Sequence, residues 1–315
     1  MKPMKCDWLE KINTELLYGK NILVAGGTGF IGKRCVQVLS DIGCNVTVLT
    51  RKIHENYANV SYVHADLTKI QTLKSVRIDS GFDHAIYMAA NIPLAGQKKE
   101  SYLEAKCSTL DAFVNFCDVF FSRTKNFVYV SSIDVLGSCG KTEYTEEETL
   151  HNPTPYGIAK YCGELYTKLM CDSLTLPYKI LRFSQVYGPN EPVVRIIPIL
   201  KDALLSGKEF SLFTYGDEKR RFLYIDDAIQ AIIRSCLHEE CGVYNIAGKD
   251  PISMLNLIEI MENISGRKLR LTLLRQSHGC NNVPSISKAE KLLGYAPEFD
   301  IENGIRQIFK ESKYD

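Results

Sequence analysis

The 315-residue chain has almost no charge of either sign to spare. Its 38 Lys and Arg oppose 37 Asp and Glu, a formal net of +1. Such a balance supplies no electrostatic argument for nucleic acid or an anionic membrane as the main partner. No stretch approaches 18 consecutive apolar residues, so no membrane-spanning helix is expected. Residues 1–20 are charged throughout and lack an apolar core, so no secretory leader is expected either. The eleven cysteines are odd in number, scattered, and never spaced C-x-x-C. A disulfide framework and a structural zinc site are therefore not expected, no metal is predicted, and reduced thiols of a cytoplasmic protein fit better. What remains is 45% apolar and 24% charged residues, an ordinary globular balance for one large domain or two joined ones.

Short apolar runs alternate with helical periodicity along the first half. Strands are predicted at 21–26, 45–49, 60–63, 84–88, 126–131 and 178–183. Helices are predicted at 31–42, 101–120 and 156–173, with a short amphipathic helix over 7–18 from the spacing of Trp8, Ile12 and Leu16. Alternation of this kind predicts a doubly wound parallel sheet of Rossmann type. Beyond residue 184, Pro189, Pro192, Pro198 and several glycines break the pattern. The expected organisation is an extension (1–19), a dinucleotide-binding domain (20–184) and a smaller irregular α/β substrate lobe (185–315), with strands near 220–247 free to return to the first domain.

Two motifs carry chemistry. The first strand runs into Gly26-Gly27-Thr28-Gly29-Phe30-Ile31-Gly32, a G-x-x-G-x-x-G turn that opens a helix. Glycines there let backbone approach a pyrophosphate, and the helix N-terminus offers it N–H groups. Lys33-Arg34 follow Gly32, so a Walker-type ATP loop, which needs Lys-Ser/Thr, is excluded. The second strand ends at Thr50-Arg51-Lys52, without the acidic residue that usually accepts the ribose 2′-OH of NAD. Two cations there favour NADP, with NAD still possible. Asp66-Leu67, after the third strand, can reach the adenine edge, although Asp66 alone could also be an N-cap. The second motif is Tyr156-x-x-x-Lys160, which puts a phenol and an ammonium on one helix face. A cation beside it stabilises the phenolate, so Tyr156 can serve as acid and base near neutral pH. Ser131-Ser132 at the end of the fifth strand offers a hydroxyl to a reacting oxygen.

Together these residues resemble the extended short-chain dehydrogenase/reductase family, whose many members act on nucleotide-diphosphate sugars. The resemblance runs from about residue 20 to 310 through GGTGFIG (26–32), Asp66-Leu67, Ala89-Ala90, VSSIDVLG (130–137), PYGIAK (155–160), LRFSQVYGP (181–189), RRFLYIDDAIQA (220–231), YNIAG (244–248) and KLLGYAP (291–297). It implies that Tyr156 is the acid/base, Lys160 its helper and a nicotinamide-ribose ligand, and Ser132, rather than Ser131, the hydroxyl. It implies cofactor contacts at Gly26, Thr28, Gly29, Phe30, Ile31, Gly32, Ala89 and Ala90, and substrate contacts at Ser132, Gln185, Arg195 and Arg220, with Leu212-Phe213 on weaker grounds. It also implies a homodimer through a four-helix bundle of the helices at 101–120 and 156–173.

Departures from the family pattern shape the expected activity. Lys106 stands where an Asn is usual. Dehydratases carry Thr-Asp-Glu where this chain has Ser132-Ile133-Asp134, so Ile133 removes a carboxylic acid and dehydration is not expected. Asp134 reads first as a surface or structural residue and second as an additional acid/base. With the Arg51-Lys52 signal, the leading expectation is an NADPH-dependent ketoreductase of a nucleotide-diphospho-4-keto-6-deoxy sugar, serving deoxysugar biosynthesis. Hydride would go to C4 and Tyr156 would donate the proton. The alternative is an NAD-dependent 4-epimerase using the same Ser-Tyr-Lys residues, and a third is a non-catalytic NADP-sensing protein.

Overall fold

A computed structural model describes residues 7–52, 54–77, 80–91, 102–137, 143–151, 153–192 and 195–311. Seven strands form one sheet: β1 (Asn21–Ala25), β2 (Asn45–Thr50), β3 (Val60–His64), β4 (His84–Tyr87), β5 (Phe127–Ser132), β6 (Tyr178–Phe183) and β7 (Gly242–Ile246). Their order is β7-β6-β5-β4-β1-β2-β3, and every pairing is parallel. β7 lies far along the chain yet pairs with β6, so the C-terminal part does return a strand to the sheet.

The strands are apolar on both faces because both faces are covered. Ile22, Val24, Val46, Val48, Val130 and Leu181 point to one side. There they meet α1 (Phe30–Ile42) and α5 (Ile225–Leu237), which contribute Val36, Leu39, Ile229 and Ile232. Leu23, Ala25, Leu49, Phe127, Tyr129 and Ile180 point to the other side. They pack on Phe113 and Phe116 of α3 (Ala112–Phe120) and Cys171 of α4 (Pro155–Leu174). The first of these cores continues into the C-terminal lobe through Leu200, Leu257, Met261 and Ile305, so lobe and sheet share one apolar interior.

Two predicted helices come out differently. Residues 7–18 form two 3₁₀ turns, Asp7–Lys11 and Thr14–Leu17, separated at Asn13, whose ψ of 79° leaves the helical region. The tighter turn shifts the phase, so Trp8 and Leu17 are buried while Leu16 is exposed. The helix predicted at 101–120 is broken into α2 (Tyr102–Ala105) and α3 by a π-helical turn, Lys106–Asp111. Lys106 points to solvent and pairs with Asp111 at 2.7 Å, so it does not take the place of a site residue.

Candidate active site

The carboxyl ends of β1, β4, β5 and β6 converge where the strand order reverses between β1 and β4, the place at which open α/β sheets bind ligands. The glycine turn sits at the end of β1. A Cβ on Gly32 would lie 2.0 Å from the Gly26 carbonyl oxygen, and one on Gly26, at φ +87°, 2.6 Å from the Ala89 nitrogen. Only glycine permits this closure of turn, helix and Ala89-Ala90 segment. Gly29 caps α1 without a side-chain hydrogen bond, leaving the first-turn N–H groups of Phe30, Ile31 and Gly32 with no intrahelical acceptor. The cradle therefore fits the pyrophosphate of a dinucleotide.

Four predicted cofactor residues follow the carboxyl ends of β2 and β3, on the same edge of the sheet as this turn. Arg51 and Lys52 are exposed. Asp66 is not an N-cap: its carboxylate accepts from the Thr68 N–H and hydroxyl, and the short helix that follows begins after Lys69. Burial pushes the Asp66 pKa up, but the Thr68 bonds and the charges of Lys69 and Arg51 outweigh it and hold the carboxyl below its ordinary value. The Leu67 carbonyl accepts from the Asn115 side chain, which ties this loop to α3.

A cleft of about 1130 Å³ opens beside the turn, lined by Ile31, Ala90, Ser132, Tyr156, Lys160 and, farther out, Gln185, Arg195 and Arg220. α4 aims Tyr156 into it for local reasons. Thr154 accepts from the Gly157 N–H and caps the helix, and Pro155 occupies its first position. Gly157 packs so tightly on the Asp134 carbonyl that a Cβ would come within 2.2 Å. One turn on, Lys160 is 2% exposed; its ammonium donates to the Val130 carbonyl at 2.7 Å and stands 4.8 Å from the centre of the Tyr129 ring. Burial pulls its pKa down to about 7, against the charge of Glu164, which raises it.

The two serines at the end of β5 part company. Ser131 is buried and donates to Glu164 at 2.6 Å. Ser132 faces the cleft, accepts from the Asp134 N–H at 3.2 Å and exchanges a side-chain hydrogen bond with the Asp134 carboxylate. Asp134 is thus an exposed residue that also lines the cleft. It opens onto the cleft yet is ringed by protein, and burial raises its pKa, against the Ser132 bond and the charges of Arg195 and Arg220. Among the described residues the Arg220 guanidinium has no hydrogen-bond partner and its Nε is buried. Arg195 reaches back to the Val186 carbonyl at 3.4 Å. Leu212 is buried and Phe213 exposed, and neither lines the cleft. Sequence reasoning missed Ser184, whose hydroxyl is buried on the cleft wall without a partner among the described residues, and Arg221 and Asn282, brought there from the C-terminal lobe. No group of His, Cys, Asp and Glu among the described residues could hold a metal ion, and no helix among them is long and apolar enough to cross a membrane.

A glycine cradle at the sheet's switch point beside a Ser-Tyr-Lys cleft defines an extended short-chain dehydrogenase/reductase, and residues 22–247 match the NAD dependent epimerase/dehydratase family, to which the chain belongs. An uncharacterized UDP-glucose epimerase of Bacillus subtilis is 29% identical, over 90% of this chain and 95% of its own. The UDP-glucuronate 4-epimerase of Thermodesulfobacterium geofontis is 26% identical, over 92% and 95%. Among solved structures, the UDP-glucose 4-epimerase of Thermotoga maritima superposes with a TM-score of 0.83 at 23% identity, covering 93% of this chain and 99% of that one. The UDP-N-acetylglucosamine 4-epimerase of Methanobrevibacter ruminantium, in complex with UDP-N-acetylmuramic acid, gives 0.81 at 25% identity, covering 94% and 99%.

Proposed function

We propose that the chain is a UDP-hexose 4-epimerase that holds its nicotinamide dinucleotide through each turnover. The observation that carries the reading is the cleft itself, with Tyr156 and Ser132 beside the glycine cradle and, on the same wall, Arg220, whose guanidinium has no hydrogen-bond partner among the described residues. Relatives that are mainly UDP-sugar 4-epimerases favour this reading over the 4-ketoreductase expected from the sequence.

In this account the glycine turn and α1 hold the pyrophosphate of the cofactor, and Arg220 with Arg195 holds that of the substrate. Tyr156 takes the proton from the C4 hydroxyl as hydride leaves C4, and Ser132 donates a hydrogen bond to the oxygen as it becomes a ketone. When bound, the nicotinamide ring supplies the chemistry of taking and returning hydride. The cleft is roomy enough for the keto sugar to turn its other face inward, after which Tyr156 gives the proton back. Ile133, buried on the cleft wall, removes one of the two carboxylic acids of a dehydratase and leaves only Asp134. The test is incubation with UDP-glucose and no added cofactor. UDP-galactose should form with no net change in nicotinamide absorbance, and Tyr156→Phe should abolish it. Consumption of NADPH by a 4-keto-6-deoxy sugar nucleotide, without epimer formation, would overturn the reading in favour of the reductase.

One feature favours that second reading: the exposed Arg51 and Lys52 at the end of β2, where a 2′-phosphate would lie. Titration of NADPH and NADH into stripped protein, beside Arg51→Ala, separates the two. NAD that survives purification supports the epimerase, and a strong NADPH preference lost in the variant supports the reductase.

We also infer that two copies pair through α2, α3 and α4. Leu165, Tyr166 and Leu169 on α4, and Tyr102 and Leu103 on α2, leave apolar side chains exposed there. Sedimentation at twice the monomer mass is expected, and a monomer would refute the pairing.

A further inference from the structure

The sugar end of the cleft carries a carboxyl group that the reaction does not use. Asp134 lines the cleft two residues beyond Ser132 and is joined to it by the Asp134 N–H and by a side-chain hydrogen bond. If Ser132 meets the C4 oxygen, the Asp134 carboxylate lies one hydrogen bond farther on. In a hexose, C6 is only two bonds from C4, so a charged C6 substituent comes near Asp134 in one of the two orientations of the ring that the reaction needs.

The balance of charge decides what that means. The cations that act on Asp134 are Arg195 and Arg220, and neither makes an ion pair with it among the described residues. Arg221, the next cation on the cleft wall, is occupied by the carbonyls of Pro284 and Lys249 and lies 3.8 Å from Glu143. A bound diphosphate brings two negative charges and draws on Arg195 and Arg220. Asp134 is then left facing the sugar without a counter-ion, in a cleft where Coulomb interactions are stronger than in open water. A sugar hydroxyl can donate to this carboxylate. A sugar carboxylate repels the ionised group or forces the pair to take up a proton, each at a cost, and rejection built from a like charge is an effective source of specificity.

We propose that Asp134 selects the sugar: the cleft takes a nucleotide-diphosphate hexose that is uncharged at C6 and rejects one bearing a C6 carboxylate. The inference rests on the nucleotide-sugar reading above and adds a division within it, since the relatives include enzymes named for UDP-glucose and for UDP-glucuronate.

The experiment measures binding of UDP-glucose, UDP-glucuronate and UDP to the cofactor-loaded protein and to Asp134→Asn and Asp134→Ser, with retained cofactor as the check on folding. Wild type should bind UDP-glucose at least tenfold more tightly than UDP-glucuronate. Both variants should shrink that ratio at least threefold while UDP itself binds all three proteins alike. A wild-type ratio below tenfold, or a ratio that the variants leave in place, overturns selection by Asp134 alone. If UDP and both sugars fail to bind wild type, the nucleotide-sugar reading falls and this inference falls with it.

Discussion

Glu164 and Arg182 form a forked ion pair one helical turn behind Lys160, both side chains almost wholly buried and joined at 2.7, 3.0 and 3.2 Å. Glu164 also accepts from Ser131, and Arg182 donates onward to the Glu146 carbonyl. The pair anchors α4 to β6 and places a negative charge near the Lys160 ammonium. Glu164→Gln should have two effects. Stability should fall by about 3–5 kcal/mol, because Arg182 is left as a buried unpaired charge. The limb of the pH–rate profile at which Lys160 loses its proton should also move to lower pH, since the charge that raises the Lys160 pKa is gone. Urea unfolding and a kcat profile read these separately, and a purely structural role would leave the profile in place.

Lys160 gives the folded protein its own pH dependence. Its folded pKa, near 7, is below the unfolded value of 10.5, so between those pH values the unfolded chain binds one proton more. Stability should therefore rise with pH through that window, by at most about 1.4 kcal/mol per pH unit from this group. Below pH 7 both states are protonated and the contribution is flat. Thermal melts from pH 6 to 10 should show Lys160→Met with a shallower rise than wild type.

Gly157→Ala tests the seat of Tyr156. In an open helix interior the change would add about 1 kcal/mol of stability. Here the new Cβ would lie 2.2 Å from the Asp134 carbonyl, a backbone atom that cannot swing aside. The helix start must shift and carry Tyr156 with it. A lower melting temperature and a loss of kcat of at least tenfold are expected, with cofactor retained.

Arg220→Gln should act on the substrate alone. The guanidinium has no hydrogen bond to lose among the described residues, so the melting temperature should change little. A charge-assisted bond to phosphate is worth about 1.5–3 kcal/mol, so the KM for UDP-glucose should rise roughly tenfold or more. Cofactor affinity should not change.

Much of this was legible in the sequence because it is local. The turn at Gly26–Gly32 reads directly from glycine spacing between a strand and a helix, and Tyr156 and Lys160 share a face through helical geometry alone. What escaped is held by distance along the chain. Nothing near Glu164 announces Arg182, and nothing near Tyr156 announces Asn282 or Arg221, which the C-terminal lobe, far along the chain, folds back to the cleft. The place of Asp134 on the cleft was hard to read because exposure to a cleft and exposure to bulk solvent look alike in a linear pattern. The π-helical turn at Lys106–Asp111 escaped because its apolar spacing also satisfies an ordinary helix. At the N-terminus, a single non-helical residue, Asn13, undid a stripe that periodicity alone supported.

The most direct test of the central claim follows the hydrogen at C4. UDP-glucose carrying deuterium at C4 is given to the cofactor-loaded enzyme, and the sugar products are analysed by NMR and mass spectrometry. The account predicts UDP-galactose with the deuterium still at C4, because the hydride removed from one face is returned to the other within the same cleft. Loss of the deuterium to a free pool of reduced cofactor, or no epimer at all, would contradict it.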